Sequence, residues 1–500
     1  MQRRTLIRAL AAVTALGTLA ACGDSSDSAA STSGADAIIQ IGSLYEPQNL
    51  DNTAGGGQGV TEALNGNVYE GLFTLTDSGK VEPLLAKENT VSADGLTYTF
   101  TLQPNVKFHS GKALTSADVK ASIEAVTAEN SKSARKSSLP EIKEIATPDD
   151  ATVVVTLGAR SISFVYNLSY IWIVNSAATD RTTAADGTGP YKLGEWKRGS
   201  TLTLTRSDSY WGTAAKNAGV VFHYFTDATA LNNALLTNAV DVVTSEQSPD
   251  ALAQFTGNAA YTVNNGQSTT KLLLAYNDKV EPFNNVKVRQ ALSQAIDDEK
   301  LRTSIWGEYG TAIGSMVPPS DPWYEDLTAV NAYNVDAAKA LLTEAGFPNG
   351  FAFTLDTPNY DPHPTAATFI KTELAKIGVT VTINTITSDE WYTKVYKERN
   401  FQATLQEHVN DRDVVWYGNP DFYWGYSNTQ VTQLIEAAEQ ATTTDEQTAL
   451  LKQANKIIAA EAASDWLYLY PQIVVASSKL QGYPVNGLNA QFFAYGITKS

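Results

Sequence analysis

Asp94-Gly95-Leu96-Thr97-Tyr98-Thr99-Phe100-Thr101-Leu102, followed after a short connection by Thr115-Ser116-Ala117-Asp118-Val119, decides the fold class of this chain. In the first stretch Leu96, Tyr98, Phe100 and Leu102 alternate with β-favouring threonines, the period of a half-buried strand, and Asp94-Gly95 supplies a turn ahead of it. In the second, Thr115 and Asp118 have capping-box spacing, and Val119, Ile123 and Val126 then fall on one helical face. A strand entered from a turn and a capped helix over about 116–129 place the chain in the mixed α/β class.

The alternation continues outward. Asp186-Gly187-Thr188-Gly189-Pro190-Tyr191 is a Gly/Pro break ahead of another strand pattern at Leu202 and Leu204, so a lobe boundary is expected near 186 and a second near 270. Beyond it, Val286, Val288, Ala291, Leu292, Ala295 and Ile296 describe a helix. Asn334 caps another that stops at Gly346, and Thr444 with Gln447 has capping-box spacing before the run Leu450 to Ala460. Strands such as 379–386 lie between these helices.

Composition narrows the function classes. A single cysteine in 500 residues excludes a disulfide framework and cysteine-rich zinc motifs. A formal net charge of −17 argues against nucleic acid and anionic lipid, both of which reward a basic face. Arg3, Arg4 and Arg8 precede the apolar stretch Ala9 to Ala21, too short to span a bilayer and shaped like a secretion signal over 1–21. It ends in Leu19-Ala20-Ala21-Cys22-Gly23, which resembles a lipobox; the alternative is an ordinary signal with an incidental cysteine. Residues 22–36, free of large apolar side chains, read as a lipidated Cys22 on a flexible tether.

Val68-Tyr69-Glu70-Gly71-Leu72-Phe73 and Pro83-Leu84-Leu85-Ala86 open a series of motifs. It continues through the two stretches quoted first, Val106-Lys107-Phe108-His109-Ser110-Gly111-Lys112, Thr188-Gly189-Pro190-Tyr191, Tyr210-Trp211, Pro282-Phe283, Val286 to Leu292 and Ala295-Ile296-Asp297. In this order they resemble the peptide/nickel class of extracellular solute-binding proteins, the receptors of bacterial ABC importers. The resemblance implies a two-lobed periplasmic-binding-protein fold with a hinge and a small extra domain. Lobe I is expected at 37–73, 187–270 and 478–500, the inserted domain at 74–186 and lobe II at 271–477. It further implies a monomer that takes a small solute or short peptide between closing lobes and delivers it to permease subunits. The lipid anchor would be its only membrane contact, without cofactor, resident metal or nucleic acid.

The chemistry-bearing residues fit a binder better than an enzyme. There is no G-x-S-x-G, H-E-x-x-H or C-x-x-C, and Gly55-Gly56-Gly57-Gln58-Gly59 reads as a flexible turn lacking a phosphate-loop lysine. Asp411 and Asp413 could be offered as the carboxylate pair of a glycoside hydrolase, but two acids one residue apart in a loop read as solvated, so no catalytic residues are expected. The four histidines, His109, His223, His363 and His408, have no metal-ligand spacing. Ten aromatics crowd into the 36 residues from Trp391 to Tyr426. About half are expected in the core, and the rest at the cleft, where rings can sandwich a ligand.

Candidate cleft residues in that segment are Trp391, Arg412, Asp413, Trp416, Tyr417, Tyr423 and Trp424. The resemblance adds Tyr45, with a surface loop as its alternative role, and Tyr276 with Asn277, the latter equally a hinge hydrogen bond. In peptide-binding members of the family an Asp four residues before the Pro of this segment holds the ligand's ammonium; counting back from Pro420 gives Trp416. Asp413 could substitute for it, and Arg412 could grip a carboxylate. A ring at 416 otherwise suits a neutral or ring-containing ligand such as an oligosaccharide, or a nickel chelate.

Overall fold

The computed structural model describes residues 34–500 apart from 56 and 134, and the part from 33 onward forms one compact unit. Cys22 and the signal segment lie outside the described residues. Three sheets organise the unit.

The first has seven strands in the order Tyr261–Gly266, Gln472–Ser477, Val242–Val243, Ile38–Ser43, Gly219–Tyr224, Thr201–Arg206 and Tyr191–Lys197. Ile38–Ser43 pairs in parallel with both its neighbours, and the remaining pairs are antiparallel. The second sheet has five strands, Thr380–Ile386, Ala352–Pro358, Ala403–His408, Lys271–Tyr276 and Ser464–Leu469. A four-stranded antiparallel sheet, Ala86–Val91, Thr97–Leu102, Thr152–Leu157 and Ile142–Asp149, forms a separate module.

The chain crosses between the two larger sheets twice, through 267–270 and 470–471, and the crossings lie side by side: Tyr470 N donates to Thr270 O at 2.8 Å. Gly266 sits where the 485 backbone passes so closely that a Cβ would lie 1.8 Å from Val485 O. The expectation that lobe II runs to 477 does not hold for Gln472–Ser477. Its Ile473, Val474, Val475 and Ala476 are fully buried between two strands of the first sheet, which is the place a continuous apolar run finds cover on both faces.

Local signals explain most of the elements. Thr97–Leu102 is a strand, entered through Gly95 at φ +72°. Helix Ser116–Thr127 starts where Thr115 N donates to Asp118 Oδ2 at 3.0 Å, with Lys112 Nζ 2.6 Å from the same carboxylate. It buries Val119 and Ile123 completely against Phe100, Val153 and Val155, each such side chain contributing about 1.5–3 kcal/mol. Asn334 caps helix Val335–Glu344 through Ala337 N, and Gly346 ends it at φ +92°. Helix Thr444–Ala460 is capped by Thr443, which accepts from Glu446 N at 3.2 Å, one residue ahead of the expected box.

The glycine run is not simply a turn. Helix Gly57–Leu64 begins inside it, and Gly59 packs where a Cβ would lie 2.2 Å from Tyr45 O, so the missing side chain lets this helix abut the loop after the first strand. Lys271–Tyr276, buried at every position, serves two cores. Leu272, Leu274 and Tyr276 face one with Phe283, Val288 and Leu355, and Leu273 and Ala275 face the other with Tyr417, Trp424 and Trp466. Among the described residues no helix is long and apolar enough to cross a membrane.

Candidate functional site

Two cavities open between the sheets. The larger, about 930 Å³, lies beside the crossings, walled by Tyr45, Glu62 and Thr244 from the first sheet's side and by Tyr360, Glu407 and Tyr470 from the second's. The smaller, about 390 Å³, lies between the four-stranded module, which supplies Arg135 and Tyr166, and the second lobe, which supplies Trp323 and the turn Asp411 to Trp416. The two are neighbours through the chain itself: Val409 lines the first and Asn410 the second.

In the smaller pocket cations are held by ring faces. The Arg412 guanidinium stands 3.3 Å from the Tyr166 ring centre and 5.1 Å from Trp323, presented from a left-handed backbone at φ +56° that caps the turn Asp413–Gly418. Arg135 lies 3.6 Å over Tyr170 and donates to Asn410 Oδ1 at 3.0 Å. Among the described residues neither guanidinium has a carboxylate within ion-pair distance. The nearby acids have other partners: Asp411 accepts from the Tyr166 hydroxyl, and Asp321 accepts the Arg412 backbone N–H at 3.1 Å. Burial, with Asp411 adding to it, pushes the Asp321 carboxyl up to about 7.

Asp413 is almost fully buried. Burial opposes its ionisation, but Lys271 Nζ at 3.5 Å and His408 Nδ1 at 3.4 Å outweigh it and hold the carboxyl below its ordinary range. Trp416 Nε1 donates to Asp413 Oδ1 at 3.2 Å, and its ring stacks on Phe422 with centroids 5.1 Å apart. Asp411 and Asp413 are therefore not the solvated loop acids that their spacing suggests, because the turn folds inward over Lys271.

The module also grips the second lobe around this pocket. Ile162 N donates to Glu439 O at 2.9 Å, Ser161 Oγ donates to the Glu439 carboxylate, and Gln447 Nε2 donates to Ser163 Oγ at 3.0 Å.

The larger cavity is electrostatically opposite. No Lys, Arg or His is among its described lining residues, whereas Glu62 and Glu407 stand inside it and Asp227, Asp250 and Asp361 at its exposed mouth. Burial pushes the Glu62 carboxyl up to about 7 against a 2.5 Å hydrogen bond from Ser43 Oγ. Burial likewise pushes Glu407 up to about 7, despite the neighbouring Tyr470 hydroxyl. Tyr45 lies between the two: burial and then the fields of Glu407 and Glu62 raise its phenol. His363 Nε2 is 3.8 Å from Glu407, but burial lowers its pKa to about 4, so at neutral pH it supplies no countercharge.

Of the residues singled out in the sequence, Tyr45 lines the larger cavity and Arg412, Asp413 and Trp416 line the smaller. The other six line neither and belong to the second lobe's interior. Tyr276 points with Leu272 and Leu274 and stacks on Phe283 at 5.5 Å. Asn277 Nδ2 donates to Arg399 O and Phe401 O at 3.1 and 3.0 Å, and Trp391 Nε1 donates to Thr404 Oγ1 at 3.0 Å. Tyr417 stacks on Trp424 at 4.3 Å and donates to Ser464 Oγ at 2.8 Å, while Tyr423 packs on His408. The segment after Asp413 folds back on the sheet, so rings there fill the gap under helices Thr429–Glu439 and Thr444–Ala460. Missed in the sequence were Arg135, Tyr166, Glu62, Glu407 and Tyr470. Arg135 meets Asn410 across 275 residues, a contact no local pattern announces.

A family model described as bacterial extracellular solute-binding proteins, family 5 Middle, matches residues 80–432. The glutathione-binding protein GsiB of Salmonella typhimurium is 28% identical over 493 residues, covering 90% of this chain and 91% of its own. Among solved structures, the periplasmic binding protein AgaA of A. tumefaciens R10 with agropinic acid matches at a TM-score of 0.80 and 25% identity, over 93% of this chain and 99% of that one. DppA from Helicobacter pylori with the peptide STSA matches at 0.78 and 23% identity, over 93% and 98%. The proteins matched are binding proteins.

Proposed function

The chain belongs to the bacterial extracellular solute-binding proteins of family 5, and from that premise we propose that it closes on a small peptide-like solute bearing a free carboxylate. The ligand is handed unchanged to the permease subunits of an ABC importer. The observation that carries this reading is the pair of guanidiniums, Arg135 and Arg412, brought to one pocket from two parts of the fold with ring faces beneath them and no ion-pair partner among the described residues. A half-buried guanidinium fork without a carboxylate is an incomplete pair, and a ligand carboxylate completes it with two charge-assisted hydrogen bonds. Trp416, turned into the pocket from its stack on Phe422, offers a planar face beside that carboxylate.

The curated relatives named for glutathione, itself a peptide with free carboxylates, support the same ligand class. Asp413 does not serve as an amine anchor in this reading, since Lys271 and His408 already satisfy it. The proposed setting is extracytoplasmic: a monomer tethered by an acylated Cys22 alone, a role supported by the Leu19-Ala20-Ala21-Cys22-Gly23 sequence.

Calorimetry with a panel of glutathione, tripeptides, their C-terminal amides, a neutral oligosaccharide and a nickel–histidine chelate tests the ligand class. Free-carboxylate peptides should bind and their amides should be weaker by about tenfold or more, a difference that Arg412→Gln removes. Equal binding of acid and amide, or binding of the oligosaccharide alone, would overturn the reading.

A further inference from the structure

Resting on the reading of this chain as a binder of carboxylate-bearing solutes, we infer that the larger cavity is a separate subsite for an organic cation, an ammonium or guanidinium group at the far end of the same ligand, held between Glu62 and Glu407. The two carboxylates arrive from opposite lobes. Glu62 is on helix Gly57–Leu64, packed against the first sheet's loop, and Glu407 is on strand Ala403–His408 of the second sheet. Both face Tyr45, and neither has a basic partner among the described residues lining the cavity.

Acidic side chains alone would not make a site; two hydroxyls beside them point to an occupant. Thr244, 3% exposed, turns its hydroxyl toward Glu62, and Tyr470, 7% exposed, turns its hydroxyl toward Glu407, and neither hydroxyl oxygen accepts a hydrogen bond from a described residue. Buried oxygens are almost always satisfied, so two carboxylates and two hydroxyls, whose few O–H donors can only be shared with the carboxylates beside them, leave open lone pairs that match an ammonium, which brings three N–H donors and no lone pair. Lobe closure also forces two like charges toward one another. A cation between them removes that repulsion, so cation capture and closure favour each other.

The two subsites are within one ligand's reach. Glu407 and Arg412 are five residues apart, at most about 18 Å along a fully extended chain. A tripeptide carrying a lysine side chain spans that range. The cleft is thus bipolar, guanidinium at one end and carboxylate at the other, and its preferred ligands carry both signs of charge.

The test uses Lys-Ala-Ala and its Nα,Nε-diacetyl form, which share the C-terminal carboxylate and differ only in cationic groups, titrated at pH 7.5 into the whole protein. Wild type should prefer the free peptide by about tenfold or more, and Glu62→Gln with Glu407→Gln should lower that preference to under about threefold while leaving the diacetyl peptide's affinity unchanged. An equal affinity of wild type for both peptides, or a preference that survives in the double variant, overturns the inference. Cadaverine, which has no carboxylate, separates this inference from the ligand class on which it rests. If neither peptide binds, the carboxylate reading fails, and a cadaverine-dependent rise in melting temperature, present in wild type and absent in the double variant, still supports the cation subsite. No rise in wild type sinks it.

Discussion

The two cavities solve the problem of buried charge in opposite ways. Around the smaller pocket the buried acid is compensated within the protein, with Lys271 and His408 attending Asp413, whereas Arg135 rests on Asn410 and Tyr170 and Arg412 on Tyr166 and Trp323, neither with a carboxylate among the described residues. In the larger cavity Glu62 has hydroxyl neighbours and Glu407 has hydroxyls and a neutral His363, and their carboxyls drift toward neutrality. Compensated groups build a rigid wall that survives without ligand. Uncompensated ones create a demand that a ligand can meet, and so the contrast separates scaffold from specificity.

The contrast breaks most severely at Asp413. Asp413→Asn leaves the Lys271 ammonium, whose side chain is 0% exposed, without its counter-ion. Removing one partner of a buried pair costs about 3–5 kcal/mol, so denaturant melts should show a loss of that order, and Lys271→Met in the same chain should restore part of it. A loss below about 1 kcal/mol would show that the wall is not held by this pair.

Acid titration sharpens the other side. Glu62 and Glu407 have folded-state pKa values of about 7, above their ordinary 4.5. Between those values the folded protein binds more protons than the unfolded chain, and stability contributed by the protonated carboxyls is lost as pH rises from about 4.5 to about 7. The groups facing Glu62 are Ser43, Thr244, Tyr45 and Tyr224, and those facing Glu407 are Tyr45, Tyr360, His363 and Tyr470; none is cationic there at neutral pH. The ligand-free protein should therefore lose stability over this window, by about 1–3 kcal/mol per group, and the double Gln variant should lose less. A melting temperature independent of pH in wild type would contradict the uncompensated state.

The smallest expected effect separates ring from charge in the smaller pocket. Trp416→Ala removes one planar face and a hydrogen bond to Asp413 but neither guanidinium. Ligand affinity should fall by about tenfold, from stacking of order 1 kcal/mol with some lost burial, while the acid-over-amide preference stays. Isothermal titration of both peptide forms reads the two quantities separately, and a lost preference would mean that the ring positions Arg412.

Legibility in the sequence followed the range of the interaction. Thr115 with Asp118, the threonine alternation of 97–102 and the Asn334 cap involve residues within a few positions, and each element formed where expected. The strand Gln472–Ser477 is as apolar as its neighbours in sequence, and only its pairing with Val242–Val243 and Tyr261–Gly266, more than two hundred residues away, decides its sheet. The aromatic run of 391–426 showed that rings needed cover, but periodicity does not say which face of an irregular segment turns inward. Tyr417 and Trp424 went to the core and Trp416, one residue from Tyr417, to the pocket. Arg135 and Glu407 carry no local mark at all, because their role depends on which distant surface they meet.

The late return of Gln472–Ser477 to the first sheet also sets an order of assembly. Thr244 and Gln472 are 228 residues apart, so on the ribosome the edge of Val242–Val243 waits through synthesis of the whole second lobe for its neighbour. Contacts of such separation close slowly, since the loop entropy is lost before the pairing is gained. A chain of this topology cannot complete its first sheet until nearly all of it exists, and a chain ending before 472 would lack the strand that joins Tyr261–Gly266 to Val242–Val243.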